Sequence, residues 1–305
     1  MSDSQLTILG CGAAMPTVRH NPSAQVFGHR GRLFLIDCGE GTQLQYRRLG
    51  LKPGRMQHIF LSHLHGDHCL GLFGLLSTLR LLFEREGEVV IHAPSGAERI
   101  FPPMFDAFCR DLPFAIRIIP FRTDSSELIY EDKSLTVKTI PLKHSVPVCG
   151  FLFEEKPPLR HLLGDMAEYY AIPHYKRAAI KAGEDFVLPD GTLIPNERLT
   201  RPAAPAVRYA YCSDTAYDER IVPLIEGVDL LYHEATYADD CEPKAISTLH
   251  STARQAARIA RMAGVKRLML GHFSARYDDE SFLLQQAREV FPDTILANEG
   301  LKYNF

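Results

Sequence analysis

Short apolar runs bounded by turn residues recur along the chain, at 5–10, 32–37, 58–62, 88–94, 135–144, 207–215, 229–236 and 266–274. Their length and their Val, Ile, Leu and Phe content predict buried strands. Longer segments carry helical spacing instead. Residues 69–83 predict one helix. Residues 251–264 predict another, with Thr252 as N-cap and Gly264 just past its end. A last helix is expected over 281–291, stopped by Pro292. Arg254, Arg258 and Arg261 fall on one face of the second helix and read as solvated. Strands and helices in 1–150, and again from about 207, predict a layered α/β sandwich. Five strands finish on Asp37, His144, Asp214, His233 or His272. A shared polar rim at one edge of the sheets explains that placement, since open α/β folds collect functional groups at strand ends.

The densest stretch is Phe60-Leu-Ser-His-Leu-His-Gly-Asp-His68. His63, His65, Asp67 and His68 form H-x-H-x-D-H at a turn between a strand end and a helix start. Imidazole and carboxylate together suit a first-row divalent ion, with zinc the default. Adding His144, Asp214 and His272 gives seven candidate ligands, too many for one tetrahedral ion. Two neighbouring ions fit: His63, His65 and His144 on one, Asp67, His68 and His272 on the other, and Asp214 bridging. Sites of this kind without thiolates keep open positions and act on water, as two-metal hydrolases do. Asp67 is placed to orient or deprotonate the attacking water. A leaving alkoxide needs a proton, and His250 and His233 compete for that role. Asp37 reads equally as a turn aspartate or as a partner of a ligand, and His92 as a core histidine.

Bulk properties narrow the setting. The chain has 305 residues, 46% of them hydrophobic, and a formal net charge of −3. That is enough for a sizeable core and leaves no chain-wide basic field for nucleic acid. Seven cysteines without a C-x-x-C pair fit reduced thiols better than a disulfide framework. The N-terminal residues lack the basic and apolar regions of a signal peptide, and no run of about 18 apolar residues predicts a membrane span. The expectation is a soluble intracellular protein. Residues 156–206 differ from the rest. They are punctuated by Pro and Gly and supply no candidate ligand. Between Lys156 and Lys181, five Lys or Arg face two acids, with Tyr169, Tyr170, Tyr175, His161 and His174 among them. This insertion reads either as a plain connector or as a patch for a polyanion.

The H-x-H-x-D-H block with the later His, Asp and His resembles the metallo-β-lactamase superfamily. Further motifs narrow the resemblance to the ribonuclease Z family, the tRNA 3′-processing endonucleases of the short form. They are Asp37-Cys-Gly-Glu-Gly-Thr-Gln43, Ser213-Asp-Thr215, His233-Glu-Ala-Thr236, His250-Ser-Thr252 and Gly271-His-Phe-Ser-Ala-Arg-Tyr277. The resemblance implies a single α/β domain over 1–305, a four-layer αβ/βα sandwich with an inserted flexible arm, and two zinc ions per subunit. It implies a cytoplasmic homodimer that cuts precursor tRNA after the discriminator nucleotide and leaves a 3′-hydroxyl. Asp67 would accept a proton, His250 would donate one, and 156–206 would be the tRNA-binding arm. The family loop P-x-K-x-R-N reads Pro16-Thr-Val-Arg-His-Asn21 here, with Val18 at the lysine and His20 at the arginine. The alternative is the same site acting on a small molecule, as a phosphodiesterase or thioesterase.

Overall fold

The structure is a computed structural model that describes residues 4–82 and 87–305. Six strands build most of a first sheet: β1 Ser4–Gly10, β2 Ala24–His29, β3 Arg32–Ile36, β4 Met56–Phe60, β5 Glu88–Pro94 and β6 Ala115–Phe121. The strands β1 to β3 pair antiparallel. From β3 to β6 the pairing is parallel, and each crossover carries helices. These are α1 Thr42–Arg48, α2 Gly66–Cys69 with α3 Gly71–Leu82, and α4 Ala97–Phe108. A second sheet begins with β7 Leu128–Glu131, β8 Leu135–Pro141 and β9 Cys149–Glu155.

After the insertion, β14 Arg208–Cys212, β15 Leu230–Glu234, β16 Leu268–Gly271 and β17 Thr294–Leu296 continue that sheet in parallel. The helices α8 Glu242–Thr248, α9 Ala253–Met262 and α10 Ser281–Arg288 lie among them in sequence. The last strand, β18 Lys302–Asn304, returns to pair with β1, so both sheets have seven strands.

Alternation along the central strands makes two cores. Leu35, Ile59, Val89 and Ile91 point to one side and pack on Tyr46, Leu72, Leu75, Leu79, Phe101 and Phe105 from the helices. Their neighbours Phe34 and Phe60 point the other way, as a period of two requires. There the sheets meet through aromatic rings: Phe27 lies 5.0 Å from Phe153, and Phe60 lies 5.5 Å from Phe153 and 5.7 Å from Phe151. Each such fully buried ring contributes roughly 1.5–3 kcal/mol. Helix, sheet, sheet and helix thus form the four expected layers.

The differences from the sequence reading have local causes. The helix expected from 69 begins as two pieces. Gly71 sits against the turn after β3, donates its N–H to Cys38 O at 2.9 Å, and a Cβ there would lie 1.9 Å from Gly39 O. Only glycine allows that approach. The helix runs to Leu82, and Phe83 of the expected range lies outside the described residues. Thr252 caps α9 in a full capping box with Gln255, and Gly264 follows at φ 59°. The last helix stops at Arg288, short of 291.

Residues Glu155–Ala206, with Asp132–Leu135, form a separate compact unit. Two short antiparallel pairs, β10 His161–Leu162 with β13 Thr200–Arg201 and β11 Phe186–Val187 with β12 Leu193–Ile194, frame α5 Gly164–Tyr169, α6 Arg177–Lys181 and α7 Asn196–Leu199. Its small core is Ala167, Ile172, Ile180, Phe186, Ile194 and Leu199. Buried Asn196 ties it together by donating to Ile180 O and Glu184 O, both at 2.7 Å. Tyr169 and Tyr175 stand exposed on it.

Candidate metal centre

The C-terminal ends of the parallel strands converge on one cavity of about 570 Å³, lined by His65, Asp67, His144, Asp214, His250 and His272 among others. A larger groove of about 750 Å³ lies beside α4 and β6; Phe105, Phe114, Ile116 and Ile118 line it along with Glu98, Asp106, Cys109 and Asp111, but among the described residues no three of these come close enough together to hold an ion. Chemistry places the site at the first.

Asp37 follows β3, His63 follows β4, Asp214 follows β14, and His272 follows β16. Asp37, Asp214 and His272 share a left-handed backbone, at φ 55°, 54° and 56°. Non-glycine residues avoid that region, and its cost of about 1–3 kcal/mol is tolerated where function turns a side chain off the strand direction.

Two donor groups form. His63, His65, His144 and Asp214 offer atoms within 4.8 Å of one another, and so do Asp67, His68 and His272. Asp214 stands between them. Its Oδ1 is 3.8 Å from both His63 Nε2 and His144 Nε2, and its Oδ2 is 3.0 Å from His68 Nε2 and 3.2 Å from His272 Nε2. Asp67 Oδ2 lies 3.5 Å from His68 Nε2 and 3.8 Å from His272 Nε2. All seven expected ligands are therefore brought together.

The far nitrogens are held in turn. His68 Nδ1 donates to Asp37 at 2.7 Å, His144 Nδ1 donates to Leu249 O at 3.1 Å, and His272 Nδ1 donates to Thr236 Oγ1 at 2.9 Å. Each bond fixes the tautomer that leaves Nε2 bare toward the cavity. Among the described residues, the buried Nε2 atoms of His68 and His272 have no hydrogen-bond partner. Buried polar nitrogens are rarely left so, and a divalent ion would satisfy them. Nitrogen and oxygen donors without a thiolate fit a first-row dication.

Electrostatics agree with this arrangement. Burial lowers the pKa of His63, helped by the neighbouring His68 charge, which favours the neutral ligand form. Burial also lowers that of His144. Burial opposes ionisation of Asp214 and Asp67, yet the surrounding imidazoles outweigh it and hold both carboxyls well below the usual range. His68 runs the other way: Asp214 and Asp37 flank it and raise it despite burial, so its Nε2 must lose a proton before it can ligate.

The two candidate proton donors separate clearly. His233 is buried and its Nδ1 donates to Glu234 O at 2.8 Å, away from the cavity. His250 lines the cavity, its ring 4.9 Å from that of His144 and 5.4 Å from that of His272. Its Nδ1 meets Glu234 Oε1 at 2.8 Å. Burial disfavours its imidazolium, but the Glu234 charge and hydrogen bond prevail and raise it to about 9. His250 also shares a group within 4.8 Å with Asp214 and His272. Its bond to Glu234 keeps one nitrogen occupied.

Sequence reasoning left Asp37 open and did not single out Glu234 as an organiser. Asp37 accepts from Ser62 N, Ser62 Oγ, His68 Nδ1 and Tyr211 OH at 2.7–2.8 Å. Glu234 accepts from Thr215 N, Thr236 Oγ1, Ser251 N and His250. Its position inside the H-E-A-T motif was the available signal. His92 is a core residue, with its Nε2 3.1 Å from His58 Nδ1.

Known proteins share this architecture. A family model described as the beta-lactamase superfamily domain matches residues 198–273, and one described as anti-Pycsar protein Apyc1 matches residues 4–98. The crystal structure of human tRNase Z, short form, superposes with a TM-score of 0.70 at 27% identity, covering 98% of each chain. The fold is therefore the metallo-β-lactamase fold. Ribonuclease Z of Bacteroides thetaiotaomicron is 53% identical over 301 residues, covering 99% of this chain and 95% of that one. Ribonuclease Z of Parabacteroides distasonis is 53% identical over 302 residues, covering 99% of both. With the donor groups gathered in one cavity and likeness of this extent over the full length, the chain belongs to the ribonuclease Z family.

Proposed function

We propose that the protein is a metal-dependent endoribonuclease that removes the 3′ trailer from precursor tRNA. The carrying observation is the cavity in which Asp214 faces two donor groups, joined to full-length likeness to ribonuclease Z. Zinc as the ion, two per chain, a homodimeric assembly and a cytoplasmic location are the finer parts of the reading. Among the described residues, no helix is long and apolar enough to cross a membrane. The relatives do not favour a small-molecule phosphodiesterase or thioesterase.

When bound, two dications between these donors supply hydroxide at neutral pH and stabilise charge on the phosphoryl oxygens. The chain supplies the rest. Ala14 N–H fixes Asp67 Oδ2 at 2.8 Å, which turns the carboxylate toward His68 and His272 and lets it orient the attacking water. Attack at phosphorus breaks the bond to the 3′ oxygen of the discriminator ribose. That oxygen takes the proton carried by His250, which Glu234 keeps available, and leaves as a 3′-hydroxyl. The trailer keeps the phosphate at its 5′ end. The insertion, with exposed Tyr169 and Tyr175 and a basic stretch, serves as the arm that holds the tRNA.

The test is cleavage of a precursor tRNA with a 3′ trailer by the zinc-loaded protein, beside bis-p-nitrophenyl phosphate. A single cut at the discriminator, abolished by Asp67→Ala, is the expected result. Hydrolysis of the small diester with the precursor left intact would overturn the assignment of substrate.

A further inference from the structure

A second group of ligand-type side chains lies apart from the histidine-rich cavity. Cys11 follows β1, His20 ends the loop after it, Glu280 precedes α10, and Glu299 stands in the turn before β18. All but Glu299 are at least nine-tenths buried, and Glu299 keeps only 13% of its side chain exposed. Cys11 Sγ is 3.3 Å from His20 Nδ1 and 3.8 Å from Glu299 Oε2, and those last two are 2.9 Å apart. Zinc bonds of about 2.3 Å to sulfur and 2.0–2.1 Å to nitrogen or oxygen, in a tetrahedron, put S–N and S–O edges at roughly 3.5 Å and N–O edges at roughly 3.3 Å. The three donors already stand within a few tenths of an ångström of those edges. Ala297 O, 3.6 Å from Sγ, is available as a fourth.

The far side of the imidazole carries the independent observation. His20 Nε2 and Glu280 Oε1 face each other at 3.3 Å in a geometry that closes no hydrogen bond, and both atoms are buried and unsatisfied among the described residues. A carboxylate placed behind an imidazole is what orients a metal-bound histidine and sets its tautomer. Charge also closes. A thiolate and the Glu299 carboxylate neutralise a dication, and Glu280 is matched by Arg19, which pairs with its other oxygen.

We propose that Cys11, His20 and Glu299 form an additional metal site for one zinc-like dication, with Glu280 orienting the His20 ring. The site is structural: it pins the loop whose residues Ala13, Ala14 and Met15 line the catalytic cavity, and Ala14 N–H holds Asp67. Without the ion, burial and the two glutamates hold the Cys11 thiol protonated. Burial disfavours the His20 imidazolium, yet the hydrogen bond and charge of Glu299 outweigh it. Loading releases the thiol proton and the Nδ1 proton to solvent, leaves the remaining ring proton on Nε2 toward Glu280, and therefore strengthens as pH rises.

Cobalt distinguishes this site from the catalytic one, whose donors contain no sulfur. The full chain, stripped by chelator and reloaded with Co²⁺, should show a near-ultraviolet thiolate-to-cobalt charge-transfer band. Cys11→Ser should lose it and bind one equivalent of zinc fewer by elemental analysis, and His20→Gln should behave alike. Absence of the band in the wild-type chain, its persistence in Cys11→Ser, or equal zinc content in the two proteins would overturn the proposal. The band needs no variant to be read, so a poorly folding mutant does not protect the idea. An active nuclease without the band refutes this site alone; a band in an inactive protein leaves it standing.

Discussion

Replacing Asp37 with asparagine tests how the chain prepares its ligands. The Asp37 carboxylate accepts four donors at 2.7–2.8 Å and is fully buried. Asparagine has the same shape, and the orientation of its amide is dictated. Its oxygen must stay opposite Ser62 N–H, because a backbone N–H cannot accept, so the NH₂ group replaces Oδ2. The hydroxyls of Ser62 and Tyr211 can rotate to accept from it, but His68 must turn its Nδ1 lone pair toward it. The His68 proton then moves to Nε2, the atom that faces Asp214 Oδ2 at 3.0 Å and is needed bare for a metal. Losing an orienting partner of this kind typically costs about 10–100-fold in metal affinity, or about 1.4–2.7 kcal/mol. Chelator-competition titration with zinc on the folded Asp37→Asn protein, its fold checked by circular dichroism, reads the change. Wild-type affinity in that variant would refute the tautomer argument and reduce Asp37 to a packing role.

His250→Ala should lower kcat by about 10²–10⁴-fold, the usual range for a lost general acid, with zinc content unchanged; loss of zinc in that variant would make His250 a ligand. As the proposed proton donor His250 would act in its protonated form, so activity would be present below its pKa and lost as pH rises through it. The alkaline limb of kcat should therefore fall at or below about 9, lower when nearby dications disfavour the imidazolium, and should vanish in His250→Ala. Deleting residues 160–200 should raise KM for precursor tRNA while sparing bis-p-nitrophenyl phosphate; equal loss on both substrates would refute the arm reading.

Much of the site was legible because ligand chemistry is concentrated. H-x-H-x-D-H sits in six residues, and His144, Asp214 and His272 each end an apolar run, so the rim could be read before any contact was known. Other parts were hidden for physical reasons. Strand β2 contains Gly28 and follows a polar, proline-bearing loop, so its short alternation carries little signal. Helix α4 holds Pro102 and Pro103 within its span, a pair that argues against a helix interior, yet Phe101 and Phe105 bury and override local preference. The roles of Asp37 and Glu234 depend on partners 25 or more and up to 19 residues away, respectively, which no local pattern displays. The Cys11 group joins the two ends of the chain, and only folding reveals it.

The left-handed turns at Asp37, Asp214 and His272 suggest that the rim is maintained against the preference of its own backbone, and Asp214 allows this to be isolated. Asp214→Ala and Asp214→Gly both remove the carboxylate, its charge among the imidazoles and its bond from Ser213 Oγ. They differ only at Cβ. In an ordinary strand the alanine variant would be more stable, because glycine loses more freedom on folding, by roughly 0.5–1 kcal/mol. At φ 54° the Cβ meets the following carbonyl, which costs roughly 1–2 kcal/mol and reverses the order. Urea unfolding of both variants in the presence of chelator should therefore find the glycine protein more stable, by up to about 1.5 kcal/mol. A more stable alanine variant would mean that the turn is not strained, and that the Asp214 carboxylate is positioned at no cost to the fold.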